Sequence, residues 1–351
     1  MSVPHPVPAT GCAAASAAAE APSAFLLRGG PWPDQPPPTC IETHASWVVL
    51  TLDRAWKLKK PVRLRHVDLR SLAERERLCR EELRLNRELA GPDVYLGLAP
   101  LVRRKDGSLA LGAPGRTVDW VIEMARLPAE AMLDRRLADG PPPPCEAIEA
   151  VCDVMLDFYA SRPPPLDAGP ARLNRLLREA QANAARLPEM EGVLGGALRA
   201  DLTGFALAGL DDRRAEILRR GAEGLIVEGH GDLRAEHVCL LDPPVIFDRV
   251  EFDHGLRWVD PYDEFEALGL DCQAAGHGWI RAVLLARLAR AGAPAPSPRL
   301  LAIYGVNRCL TRARLAIDHL RDARVRTPEK WPAQARRALT LAAALVDQAP
   351  D

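Results

Sequence analysis

The stretch LIVEGHGDLRAEHVCLLDPPVIFDRVEFDHGLRWVDPYDE, Leu225 to Glu264, decides how the chain is read. It opens on the apolar run Leu225-Ile226-Val227, turns through His230-Gly231-Asp232, and rebuilds a short apolar strand at Val238-Cys239-Leu240-Leu241. The chain reverses at Asp242-Pro243-Pro244, and a second strand, Val245-Ile246-Phe247, delivers Asp248. Two apolar runs joined by a proline turn predict a hairpin, so the acids before and after it, Asp232 and Asp248, are expected close together. Such a pair suits two tasks: one carboxylate accepts a proton from a hydroxyl, the other holds a divalent cation that draws phosphate charge.

His-Gly-Asp followed by strand, turn, strand and Asp resembles the aminoglycoside phosphotransferase and protein-kinase-like superfamily. The resemblance implies that Asp232, presented by His230, is the catalytic base and that Asp248 binds magnesium. Five residues after its catalytic Asp the family carries an Asn on a second metal; this chain has His237 there, and an imidazole ligates only when neutral. Two plainer readings stand beside this one. His-Gly-Asp is an ordinary turn composition, and His230, Glu236 and His237 could instead hold zinc, although closed zinc sites want more Cys or His than this cluster offers.

The 351 residues, 48% of them hydrophobic, suffice for two lobes. Lys and Arg number 46 against 47 acids, and a net charge of -1 supplies no general attraction for nucleic acid or an anionic membrane. The eight cysteines show no C-x-x-C spacing and read as buried thiols of a reducing cytoplasm. Thr10-Gly11-Cys12 lacks the basic and apolar regions of an export signal. No segment reaches the roughly 18 consecutive apolar residues of a membrane span.

Residues 1–38, rich in Ala, Ser and Pro, predict a disordered leader. Strands are expected at Cys40 to Thr43, Trp47 to Thr51 and Ala55 to Pro61, with turns at His44-Ala45-Ser46 and Asp53-Arg54. From Ser71 to Ala90, apolar residues fall at helical spacing behind a Ser71/Glu74 capping box. Further strands are expected at Leu98 to Val102, Leu109 to Leu111 and Val118 to Met124. Helices should follow at 130–137, 145–161, 171–186, 192–209 and 212–221, and beyond the central stretch at 264–275, 278–291, 298–321 and 328–347.

The resemblance implies an α+β, two-lobed kinase-like fold: a nucleotide-binding lobe at 39–124 with a small antiparallel sheet, and a helical lobe at 125–349 carrying the catalytic loop and the acceptor pocket. It implies that Lys59 meets the nucleotide phosphates, with Lys57, on the same strand face, as second choice. Glu82, or next Glu81, would pair with that lysine. The first turn lacks glycine, so the Ser46 hydroxyl or N–H would substitute in cradling phosphate, and the backbone after Met124 would receive the adenine. In Trp258-Val259-Asp260-Pro261-Tyr262-Asp263-Glu264, which resembles the family's GDPxxD segment, Asp263 is taken as the acid that steadies the loop and Asp260 as a helix cap. Asp271, Trp279, Tyr304, Asn307 and Arg308 are candidates to line the acceptor pocket.

Glu42-Thr43-His44, Lys57-Leu58-Lys59-Lys60-Pro61 and Glu81-Glu82-Leu83-Arg84-Leu85-Asn86 resemble an uncharacterised phosphotransferase branch, some of whose members add a P-loop ATPase. No G-x-x-x-x-G-K-[ST] occurs here, so a stand-alone domain is expected. The implied activity is ATP- and Mg2+-dependent transfer of the γ-phosphate to a hydroxyl of a small molecule. The alternative is a nucleotide-binding module without turnover that acts on a protein partner. Glu251, Asp253 and Glu266 would favour a cationic acceptor if they faced it.

Overall fold

The computed structural model describes residues 7–8, 20–64, 67–321 and 327–350. The chain divides into two compact units. One comprises residues 2–135 with 245–253, the other residues 136–244 with 254–351. The expected border near Met124 therefore moves to about residue 135, and Asp248 belongs to the first unit rather than the helical one.

The first unit is an antiparallel sheet of strands β1 (Val7–Pro8), β2 (Thr39–Glu42), β3 (Ser46–Leu50), β4 (Arg54–Lys59), β5 (Tyr95–Arg103), β6 (Leu109–Leu111) and β7 (Arg116–Ala125), in the order β1-β2-β3-β4-β7-β5-β6. Alternation sorts its side chains onto two faces. Trp56 and Leu58 of β4 point one way with Val49, Leu101 and Val121. Ala55 points the other way with Ile122 and Met124, and the same two-residue period sends Lys57 and Lys59 with it.

Each face is covered by a helix. The leader expected at 1–38 is a correction for its described part: helix α1 (Pro22–Leu27) buries Phe25 and Leu26 on the Trp56 face. Trp32 lies 5.0 Å from Trp56, ring centroid to centroid. Residues 1–6 and 9–19, including Cys12, lie outside the described residues. Composition hid this helix because four large apolar side chains, Phe25, Leu26, Leu27 and Trp32, were diluted among small residues and prolines. Helix α2 (Leu72–Leu89) covers the lysine face. Its Ser71 cap accepts from the Glu74 N–H at 3.1 Å, and it buries Arg75, Leu78, Cys79, Glu82, Leu85 and Asn86 along one stripe. Arg75 forms a buried bidentate pair with Asp119 of β7, at 2.9 and 3.0 Å, which fixes the helix against the sheet.

The second unit is mainly helical. Along the chain come α3 (Leu133–Asp139), α4 (Cys145–Ala160), α5 (Ala168–Arg186), α6 (Glu191–Leu194), α7 (Asp201–Asp212) and α8 (Arg214–Ala222). The short strands β8 (Val227–Glu228), β9 (Val238–Cys239) and β11 (Trp258–Val259) follow, the last just after α9 (His254–Arg257), while β10 (Val245–Ile246) lies in the segment that belongs to the first unit. The chain ends with α10 (Pro261–Ala274), α11 (Trp279–Arg290), α12 (Pro298–Asp318) and α13 (Lys330–Gln348). The helix expected at 192–209 is broken, because Gly195 and Gly196 both adopt positive φ, 62° and 76°, which ends α6 after a single turn. The core of this unit gathers Leu173 and Leu176 of α5, Leu210 of α7, Ile217 of α8, Ile303 and Leu310 of α12 and Leu339 of α13. Among the described residues no helix is long and apolar enough to cross a membrane.

Leu26 is fully buried, and truncating a core leucine costs about 2–5 kcal/mol. Leu26→Ala is therefore expected to lower stability against urea by that amount, and removal of residues 1–38 by more. Unchanged midpoints would return this segment to the role of a dispensable leader.

Candidate functional site

In the helical unit the site is built around a loop. Strand β8 pairs antiparallel with β11, Val227 opposite Val259 and Glu228 opposite Trp258. This sets the segment after β8 against the start of α10, where Glu264 is 1% exposed. Glu264 accepts the N–H of His230 at 3.0 Å on Oε2 and that of Gly231 at 2.7 Å on Oε1, and the Tyr159 hydroxyl donates to Oε2 at 2.7 Å. A side chain at 229 is incompatible with this clamp, since a Cβ there would lie 2.4 Å from Glu264 Oε2. Gly231 adopts φ +92°, open to glycine at little cost.

Two imidazoles then brace Asp232. Nδ1 of the fully buried His230 accepts the Asp232 N–H at 3.3 Å. His237 donates its Nδ1–H to the Asp232 carbonyl at 2.8 Å, because a carbonyl can only accept. The rings stack at 5.5 Å. Further along, the Ala235 N–H is held at 3.1 Å by the buried Asp271, which also pairs with Arg312. The Asp232 side chain itself is exposed. Desolvation works against its charge, but Arg234, His237, Arg312 and His230 outweigh it and hold the carboxyl below the ordinary aspartate value of 3.8.

His230, expected with Asp232 at the reacting centre, is fully buried with its Nδ1 on the Asp232 N–H, and His237, expected as a metal ligand, spends its Nδ1–H on the Asp232 carbonyl. Among the described residues no three His, Cys, Asp or Glu side chains gather so as to hold a metal ion. The loop-steadying acid is Glu264, not Asp263. Asp263 is buried between Arg172 and Arg308, and Asp260 adds a pair with Arg220 to its helix-capping bond to Tyr262 N–H. The residues proposed for an acceptor pocket are largely spent in the interior: Tyr304 and Asn307 are buried, Asp271 and Arg308 are ion-paired, and only Trp279 is exposed. Glu266 is buried in a bidentate pair with Arg281, and Glu251 is bound to a lysine, so neither is available to attract a cationic acceptor.

In the sheet unit the candidate side chains form an alternating chain of charges, Asp248–Lys57–Glu82–Lys59–Glu251. Lys59 Nζ donates to Glu82 Oε2 at 2.5 Å and also to Glu251. Lys57 Nζ lies 2.6 Å from Glu82 Oε1, an ion pair by distance, and donates its hydrogen bond to Asp248 Oδ1 at 2.6 Å. Burial alone would lower both lysine pKa values; Asp248 and Glu82 on Lys57, and Glu251 and Glu82 on Lys59, reverse that and raise them. Burial pushes the Glu251 carboxyl up against the pull of Lys59. The 248–251 segment is fixed by α2 as well. Asn86 accepts the Arg249 N–H at 2.8 Å, the buried Arg249 guanidinium reaches Glu88 at 3.1 Å, and Tyr95 Oη accepts the Asp248 N–H at 3.3 Å. Asp248 sits at φ +64°, a conformation uncommon outside glycine and one that accumulates at functional positions.

Sequence reasoning placed Lys59 and Glu82 together correctly but gave Lys57 too small a part. Ser46 and Met124, expected at the phosphate and the adenine, are both engaged within the sheet unit. The Ser46 side chain is buried and its N–H is taken by Thr43 Oγ1 at 2.9 Å. Met124 is a core residue inside β7, between Ala55 of β4 and Tyr95 of β5, and the next two N–H groups are bonded to Val94 and Asp53. A hollow of about 830 Å³ near Arg70, Arg77 and Phe252 involves none of the charged chain. The first residues free of the ladder after β7 are Leu127 and Pro128.

No family model matches the chain. Uncharacterised proteins of Mycobacterium tuberculosis (strain H37Rv) and Mycobacterium bovis are each 31% identical to it over 290 residues, covering 81% of this chain and 56% of theirs. The chain thus spans about half the length of the curated relatives it matches. Among solved structures, a spectinomycin phosphotransferase, APH(9)-Ia, in complex with ADP and spectinomycin superposes with a TM-score of 0.49 at 10% identity, covering 89% of this chain and 94% of that one. A choline kinase from Cryptosporidium parvum Iowa II gives 0.44 at 11% identity, covering 89% and 90%. The α+β order of elements in this chain is a sheet whose β4 lysine pairs with a Glu of the following helix, then the His-Gly-Asp loop, two short strands and Asp248.

Removing one partner of a buried ion network leaves charge uncompensated and costs about 3–5 kcal/mol. Lys59→Met is expected to destabilise the sheet unit by that amount, and Lys59→Met/Glu82→Met by less than the sum of the single changes. Because both lysine pKa values are raised on folding, their contribution is complete below the unfolded value of 10.5 and is lost as pH climbs through the folded values. Chemical denaturation of wild type and Lys59→Met between pH 8 and about 12 should show the gap narrowing at the alkaline end; a constant gap would contradict the network.

Proposed function

We propose that the chain is a phosphotransferase that moves the γ-phosphoryl group of ATP to a hydroxyl of a small molecule. The observation that carries the reading is the buried Lys59–Glu82 pair at 2.5 Å, in the same unit as an Asp248 held by the neighbouring lysine. A lysine fixed this way offers a directed positive charge to phosphate oxygens, and transfer needs mainly positioning and charge stabilisation. Asp248 presents a carboxylate with its Oδ1 on Lys57 and 36% of its side chain exposed. A magnesium ion, which usually takes one or two carboxylates and completes its shell with phosphates and water, fits that supply, and when bound it would draw charge from the phosphates. In the transfer the acceptor oxygen forms the new bond to phosphorus, the bond to the bridging oxygen breaks, ADP leaves, and Asp232 takes the hydroxyl proton. Asp232 is ionised at neutral pH and its backbone is held on both sides, which suits a base that must be aimed. We place the protein in the cytoplasm, since the seven described cysteines are all free thiols, five of them buried.

A second reading keeps nucleotide binding without turnover and assigns the protein a partner-binding role. It is favoured by the closed first turn, whose Ser46 N–H is already bonded, and by the engagement of both lysines with acids.

Asp232→Asn is expected to leave ATP affinity within about twofold and to lower turnover on a hydroxylated-metabolite panel by roughly 10²–10⁴. Slow ATP hydrolysis should fall in parallel, and the acid limb of either rate assigned to Asp232 should lie below pH 3.8. Hydrolysis unaffected by the substitution would remove Asp232 from the reaction, and nucleotide binding with no turnover in wild type would favour the second reading.

A further inference from the structure

We infer that Lys57 is a tethered cation at Asp248, which keeps the nucleotide-free protein from binding free divalent metal there and leaves the metal to arrive as its nucleotide complex. This deepens the phosphotransferase reading for its metal, but it is argued from the charged chain alone. Lys57 Nζ touches both Asp248 Oδ1 and Glu82 Oε1 at 2.6 Å, and its side chain is only 12% exposed. Neither contact depends on a flexible surface side chain. Lys57 is fixed within β4, Glu82 is fully buried on α2, and Asp248 is held by its own N–H bond to Tyr95 and by its neighbour Arg249 on Asn86.

Charge counting gives the consequence. Without Lys57, Asp248 Oδ1 and Glu82 Oε1 would each lose an ammonium contact at 2.6 Å, and a divalent ion could take up the negative charge so exposed. With Lys57 in place each lysine sits between two acids, and a free divalent ion must compete with an ammonium already in contact with Asp248 Oδ1. A nucleotide brings its own negative charge with the metal, so the complex does not add bare positive charge beside Lys57. Lys57 here is a positioning and charge-balancing residue.

The test uses the full chain without nucleotide, so its outcome is independent of whether the protein transfers phosphate. Free Mn2+ is titrated and bound ion is followed by water proton relaxation. Wild type and Lys57→Arg are expected to show no Mn2+ site that Asp248→Asn alters. Lys57→Met should gain a site at least about tenfold tighter, lost again in Lys57→Met/Asp248→Asn. Circular dichroism identifies which variants are folded, and Lys57→Gln replaces Lys57→Met if that protein does not fold. A wild-type Mn2+ site weakened by Asp248→Asn overturns the inference without recourse to any Lys57 variant, and so does a folded Lys57→Met or Lys57→Gln that gains no site.

Discussion

A single buried carboxylate organises the sheet unit. Glu82 has no exposure and receives Lys59 on one oxygen and Lys57 on the other. Two ammonium groups from alternate positions of one strand can meet one carboxylate only if the helix carrying it lies on that face of the sheet, and the Arg75–Asp119 pair with β7 holds it there. From this point the chain of charges extends in both directions, to Asp248 through Lys57 and to Glu251 through Lys59. The two ends are three residues apart in sequence. This is why 245–253 belongs to the sheet unit although it is reached only after residue 244 of the helical one.

The loop of the helical unit is built by the same rule, with backbone groups in place of ammonium groups. Glu264 serves two consecutive N–H groups and a tyrosine hydroxyl, and the imidazoles of His230 and His237 take the remaining backbone donor and acceptor at Asp232. Groups that look reactive in the sequence are thereby committed to holding one exposed carboxylate in place. The exposed part is small and its support is large, which is the arrangement that aiming a side chain calls for.

Periodicity made most strand and helix positions legible, and the two-residue period of β4 put Lys57 and Lys59 on one face. The α+β class and the pairing of Lys59 with Glu82 were named through the resemblance instead. Other features depend on groups that carry no residue letter: the Ser46 N–H was taken by Thr43, and the backbone around Met124 was consumed by neighbouring strands. Choosing Lys57 as the partner of Asp248 required three-dimensional placement, since spacing admitted either lysine. Two misses had a signal in the sequence. Counting three residues on from Pro261 reaches Glu264 rather than Asp263, and Phe25, Leu26 and Trp32 stood out against the Ala- and Pro-rich start.

Calorimetric titration of ATP into the full chain, with and without magnesium and repeated with Asp248→Asn, tests the proposed nucleotide site of the lysine–glutamate pair and Asp248. The account predicts binding that strengthens with magnesium in wild type and loses that dependence in the variant. Absence of ATP binding to wild type under both conditions would contradict it.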